Sequence, residues 1–138
     1  FIDSDDIIVE REKRSINDIF AKSGEPYFRK IEKEVIKELS GRDGLVIACG
    51  GGAVLDKENM ENLRKNGVII YLYAKPDVIY QRTRAYSHRP LLNVEDPKKE
   101  IEKILDARQQ FYGQADFTID TSELEIEDVV DKILELIK

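Results

Sequence analysis

A run of five uncharged residues, Leu45-Val46-Ile47-Ala48-Cys49, ends in three consecutive glycines, Gly50-Gly51-Gly52. A short apolar run bounded by turn residues predicts a fully buried inner strand of a parallel sheet. The glycines strip side chains from the strand's carboxyl end, so a ligand can approach bare backbone amides. In open α/β sheets, ligands bind at that edge. The same glycines also fit a plain strand-to-helix turn, and this stretch alone does not separate the two readings.

The rest of the chain alternates around this stretch. Phe1 to Asp5 reads as the end of a strand. Asp3 and Asp5 are two apart, so on an extended backbone they point to one side. Such a pair suits a hydrated Mg²⁺ or a base for a hydroxyl. It equally suits helix capping, with Asp5 or Asp6 starting a helix from Ile7 to Arg14. Ser15-x-x-Asp18 is a capping pattern for a short helix ending near Gly24. Pro26 then opens an amphipathic helix carrying Phe28, Ile31, Val35 and Leu39, with Gly41 as its stop. Arg29 and Glu32 can pair on it, although most such pairs are solvated and contribute little.

Asp56 caps a helix to Asn66, and Val68 to Tyr73 is a second apolar strand. Pro76 opens a helix to about Arg84, with Val78 and Ile79 inward and Arg82 near its end. Residues 85–97 lack periodicity and are long enough for a lid; they hold His88, Arg89 and Pro90-Leu91-Leu92. Asp96-Pro97 begins a helix to Tyr112. Its inward stripe is Ile101, Ile104, Leu105, Arg108, Phe111 and Tyr112. A charge on that face either reaches out to the edge or meets an anion in a pocket. Phe117 to Asp120 is a further strand, and Ile126, Val130, Ile133, Leu134 and Ile137 mark a last amphipathic helix. Strands alternating with helices predict an α/β fold with a parallel sheet, in one domain over residues 1–138.

Composition narrows the function. A formal charge of −6 argues against a general nucleic-acid surface, and no apolar run approaches a membrane span. The acidic N-terminus is not a signal peptide, which predicts a cytoplasmic protein. Cys49, the only cysteine, reads as a small buried residue, and His88 has no second histidine or thiol cluster with which to bind a metal.

Taken together, Phe1-x-Asp3-x-Asp5, Gly24-Glu25-x-x-Phe28-Arg29-x-x-Glu32, Gly50-Gly51-Gly52, Arg89-Pro90-Leu91-Leu92, and Arg108 followed by Tyr112 resemble the shikimate kinases over essentially the whole chain. The resemblance implies a three-layer α/β/α fold of the P-loop NTPase, nucleoside monophosphate kinase-like kind. It also implies transfer of the γ-phosphate of ATP to the 3-hydroxyl of shikimate in aromatic amino-acid biosynthesis, with ATP and Mg²⁺, by an enzyme that is a monomer when complete. By the same resemblance Asp5 holds and deprotonates the hydroxyl, and Asp3 acts on Mg²⁺ through water. Arg29, Gly51, Gly52 and Arg108 bind shikimate, with Glu32 steadying Arg29. Arg89 closes on the phosphates, and Arg82 lies along the adenine. Paired arginines suit a carboxylate because their donors match it bidentately. Phosphoryl transfer then needs mainly positioning, charge neutralisation and exclusion of water.

The residues contain no Gly-x-x-x-x-Gly-Lys-Ser/Thr phosphate loop. In a family sheet ordered 2-3-1-4-5, the chain therefore begins at the second strand and lacks the central one. It is expected to be inactive alone. Two alternatives remain: a kinase-like module that binds shikimate without ATP-dependent catalysis, and a related kinase acting on another small polyol acid such as gluconate.

Overall fold

A computed structural model of the chain describes residues 1–84, 90–92 and 94–138. Arg89 and His88, and with them residues 85–87 and 93 of the expected lid, lie outside the described residues. The described residues cluster into two compact units, one built on Phe1–Gly67 and the other on residues 68–84 and 91–138.

In the first unit, β1 (Ile2–Asp3) pairs in parallel with β2 (Ile47–Ala48), Ile2 opposite Ile47 and Asp3 opposite Ala48. Helices α1 (Ser4–Glu12), α2 (Ile16–Ser23) and α3 (Glu25–Ser40) lie between these strands in the chain. A single-turn 3₁₀ segment (Ala53–Leu55) and α4 (Lys57–Lys65) follow β2. The apolar stripes of α1 to α3 make the core: Ile8, Ile16, Ile19, Phe28, Ile31, Val35 and Leu39. Each fully buried side chain of this kind contributes about 1.5–3 kcal/mol. The rings of Phe20 and Phe28 meet at 4.9 Å across α2 and α3. Tyr27 Oη donates to Glu12 Oε1 at 2.7 Å, and Arg14 donates to Glu12 and to Ser23, tying the first three helices together.

The caps explain most boundaries. Ser15 Oγ accepts from Asp18 N, and Asp56 from Glu58 N, as the patterns predict. Gly24 has φ 85°, a conformation open to glycine at little cost, so α2 ends there and α3 starts at once. The first helix departs from expectation. It begins at Ser4, not Ile7, because Asp3 is its cap, its Oδ1 accepting from Asp5 N at 2.8 Å. It ends one residue before Lys13, which sits in the left-handed region at φ 55°. Asp3 and Asp5 therefore do not project side by side from an extended strand.

The apolar run before the glycines is also corrected. Only Ile47–Ala48 form the strand; Val46 is 67% exposed, and Cys49 is exposed rather than buried. With only β1 as a ladder partner among the described residues, β2 is not the fully enclosed strand that its composition suggests.

In the second unit, β3 (Ile70–Tyr73) pairs in parallel with β4 (Phe117–Asp120), Ile70 opposite Phe117 through Tyr73 opposite Asp120. Two α-helices lie between them, α5 (Pro76–Thr83) and α6 (Pro97–Tyr112), each with proline in its first turn, and α7 (Ile126–Leu136) follows. Ala74, Ile101 and Ile119 are buried, whereas Val78 and Ile79 are half-buried. The stripe on α7 is present but open, with Ile126, Val130, Leu134 and Ile137 exposed. No helix among the described residues is long and apolar enough to cross a membrane.

Candidate functional site

The first unit gathers Asp5, Arg29, Glu32 and the glycine turn. Arg29 lies on the second turn of α3, four residues after Glu25 and three before Glu32, so one helix face carries all three. Its Nη1 donates to both Glu32 oxygens at 3.1 and 3.3 Å. Its Nε and Nη2 both donate to Glu25 Oε2, at 3.2 and 3.1 Å. The guanidinium carbon sits 5.2 Å from the centre of the Phe28 ring. This is no solvated surface pair. Glu32 is 1% exposed, and a carboxylate that deep depends on its cation.

At Gly52 close approach, rather than unusual backbone, demands glycine. Gly52 has φ −85° and ψ −6°, open to any residue, but a Cβ there would lie well inside van der Waals contact of both Nη1 and Nη2 of Arg29. At Gly50 a Cβ would lie 3.4 Å from both Asp5 Oδ1 and Glu32 Oε2. The two carboxylates thus flank Gly50, and the arginine covers Gly52. Gly51, between them, is exposed.

Beside this group is a cleft of about 390 Å³, lined in part by Glu25, Arg29, Glu32, Gly52, Lys57 and Asn59. Lys33 on α3 pairs with Asp56 and Glu58 at the start of α4, at 3.3 and 2.7 Å, and bridges the two helices that wall it. Glu58 first, then Asp56, raises the Lys33 pKa above its ordinary value, so the bridge stays charged. Asn59 is a site residue that the sequence reading passes over. It is buried, its Nδ2 donates to Ala53 O at 3.0 Å, and its Oδ1 has no hydrogen-bond partner among the described residues. Glu25 has no assigned role in the sequence reading either, though its spacing from Arg29 carries the signal.

Negative charge pervades the strand ends. Cys49 is exposed, yet burial of its thiol pushes its pKa up to about 11, and Glu32, Asp3 and Asp5 add to the shift. Among the described residues, no three acidic, histidine or cysteine side chains are placed to enclose a metal ion. A Mg²⁺ here would need oxygens from its substrate and water, which is how Mg²⁺ is ordinarily held.

The second unit holds two more expected site residues. Arg108 is half-buried on α6, and its Nη1 donates to Tyr112 Oη at 3.4 Å. Tyr112 stacks on Tyr71 at 4.5 Å, so a tyrosine platform backs the arginine. Burial pushes the Tyr71 hydroxyl up to about 12, so it stays protonated at neutral pH. Arg82 donates through Nη1 to Thr121 Oγ1 at 2.9 Å and through Nη2 to Thr121 O at 2.7 Å. Its edge anchors the end of β4, which its position on α5 does not reveal.

A family model described as shikimate kinase matches residues 1–138. The shikimate kinase of Caldanaerobacter subterraneus is 46% identical over 134 residues, covering 97% of this chain and 78% of the relative. That of Thermus thermophilus is 41% identical over 136 residues, covering 98% and 74%. Among solved structures, the shikimate kinase of Acinetobacter baumannii in complex with shikimate matches with a TM-score of 0.95 at 40% identity, covering 99% of this chain and 77% of that one. The Aquifex aeolicus shikimate kinase matches with a TM-score of 0.82 at 35% identity, covering 98% and 79%. Parallel strand pairs and a helical majority agree with the α/β, P-loop NTPase-like fold of these neighbours.

Proposed function

The chain belongs to the shikimate kinase family, and from that premise we propose that it phosphorylates the 3-hydroxyl of shikimate with ATP, as a step of aromatic amino-acid biosynthesis. One observation carries the reading: a guanidinium fixed on a buried glutamate and pressed against a glycine, with a second carboxylate beside the same turn. That arrangement offers a rigid donor for the substrate carboxylate and a proton acceptor for its hydroxyl.

In this mechanism Arg29 binds the carboxylate of shikimate. Glu32 holds Nη1, which fixes the plane of the guanidinium before substrate arrives and avoids ordering it afterwards. Gly51 and Gly52 let the substrate approach the backbone. Asp5 orients the 3-hydroxyl and accepts its proton as the oxygen attacks. Asp3 already caps α1 through Oδ1, and its other oxygen would hold a water of Mg²⁺. ATP and Mg²⁺ supply the phosphoryl group and the neutralisation of its charge. Arg108 is assigned to shikimate and Arg89 to the phosphates. With its edge engaged by Thr121, Arg82 has a guanidinium face to lay against adenine. The reading carries with it a cytoplasmic, monomeric enzyme.

The test is an ADP-release assay on the full-length protein with shikimate and with gluconate, alongside calorimetric titration of shikimate and of ATP. ADP release that depends on shikimate is the expected result. Release only with gluconate, or shikimate binding with no nucleotide binding, would replace this reading with the other kinase or with the binding module.

A further inference from the structure

Arg29 has two donor edges, and the structure fills both with protein carboxylates. The two carboxylates are not equivalent. Glu32 is 1% exposed and holds Nη1, while the Glu25 side chain is 43% exposed and holds Nε together with Nη2. The Nε–Nη2 edge is the fork that matches a ligand carboxylate. Glu25 reaches that fork from the first turn of α3, with one oxygen receiving both donors. It also lines the cleft of about 390 Å³ that Arg29 lines.

We propose that Glu25 is a built-in competitor for the anion-binding edge of Arg29: it occupies the fork while the pocket is empty, and the substrate carboxylate displaces it on binding. This inference rests on the reading of Arg29 as the shikimate carboxylate's partner. It adds a residue that sets affinity without touching the reacting atoms.

Physical chemistry favours exchange at Glu25 over exchange at Glu32. Displaced from the fork, a side chain as exposed as Glu25 is rehydrated, and an exposed ion pair at this spacing is weak. A displaced Glu32 would be left charged and buried, which is strongly unfavourable. The guanidinium therefore keeps its inner partner and trades its outer one. In the empty pocket Glu25 keeps the fork satisfied. It also repels any anion too weakly bound to displace it, so it acts as a threshold on ligand binding.

The test is Glu25→Gln in the full-length protein, read by calorimetric titration of shikimate and by the KM for shikimate. The methyl ester of shikimate, which has no carboxylate charge, serves as the control ligand. Removing the competing charge should tighten shikimate about two- to fivefold, the range set by an exposed ion pair, with a smaller effect on kcat than on KM. The ester should bind both proteins alike. Unchanged or weaker shikimate binding would overturn the proposal and make Glu25 a support for Arg29. Equal tightening of acid and ester would overturn it as well, since repacking rather than charge would then be the cause. Arg29→Ala, titrated in parallel, separates the two levels: if it binds shikimate like the parent protein, the assignment of Arg29 itself fails.

Discussion

Gly52→Ala tests whether the glycine turn exists to admit a side chain or to relieve the backbone. At φ −85° and ψ −6° alanine is conformationally acceptable, so no backbone strain is expected. By lowering the entropy of the unfolded chain, alanine would on its own stabilise the fold by about 0.4–1 kcal/mol. Against this stands the guanidinium of Arg29, which occupies the space of the new Cβ and must move. Moving it breaks the shared donation from Nη1 to the two Glu32 oxygens, worth about 1.5–3 kcal/mol because charged groups are involved. We therefore expect Gly52→Ala to destabilise by about 0.5–2.5 kcal/mol, the loss of that donation offset in part by the entropic gain. It should also abolish high-affinity shikimate binding. In an Arg29→Ala background no collision remains, so the same substitution should be neutral or stabilising by about 0.5 kcal/mol. The coupling between the two sites, about 1–3 kcal/mol, is read from urea denaturation of the four proteins of the cycle. Equal destabilisation in both backgrounds would refute the reasoning and return Gly52 to the role of a turn residue.

Arg29→Ala should weaken shikimate binding by about 2–5 kcal/mol and, unlike a surface arginine, destabilise the fold by about 3 kcal/mol, because Glu32 is left buried without its cation; calorimetry and denaturation measure the two losses separately. Asp3→Ala should cost about 0.5–2 kcal/mol by removing the cap of α1, whereas Asp3→Asn should keep the cap; both should raise the Mg²⁺ concentration needed for activity, and an Asp3→Asn protein with the parent's Mg²⁺ requirement would separate Asp3 from the metal. Cys49, although exposed, should react slowly with iodoacetamide at pH 8, because its pKa is raised from 9.0 to about 11, and its rate should climb roughly tenfold per pH unit toward that value. The same shift should lower stability as pH rises from 9.0 toward 11, since the unfolded thiol ionises first. Tyr112→Phe should weaken shikimate binding modestly with the fold retained, as Arg108 loses a hydroxyl partner at 3.4 Å while the ring still stacks on Tyr71.

What the amino-acid sequence settles by itself is local. Ser15, Asp56 and Asp96 cap helices where their spacing says they should, Pro76 and Pro97 open helices, and Phe117 to Asp120 is a strand, because each depends on atoms within a turn or two of chain. The core stripe of α3 is legible for the same reason, its period being a property of the helix itself. Local spacing does not separate capping from a metal role at Asp3, since both use the same residue type, and the hydrogen bond to Asp5 N shows the cap. It fails at Leu45 to Cys49, since burial depends on what packs against a strand and not on its composition. Tertiary structure alone reveals that Glu32 is buried, that Gly52 is reserved for a guanidinium from another element, and that Arg82 is anchored to the end of a strand 39 positions away. Those facts rest on desolvation and on excluded volume between distant segments, neither of which has a period to be read along the chain.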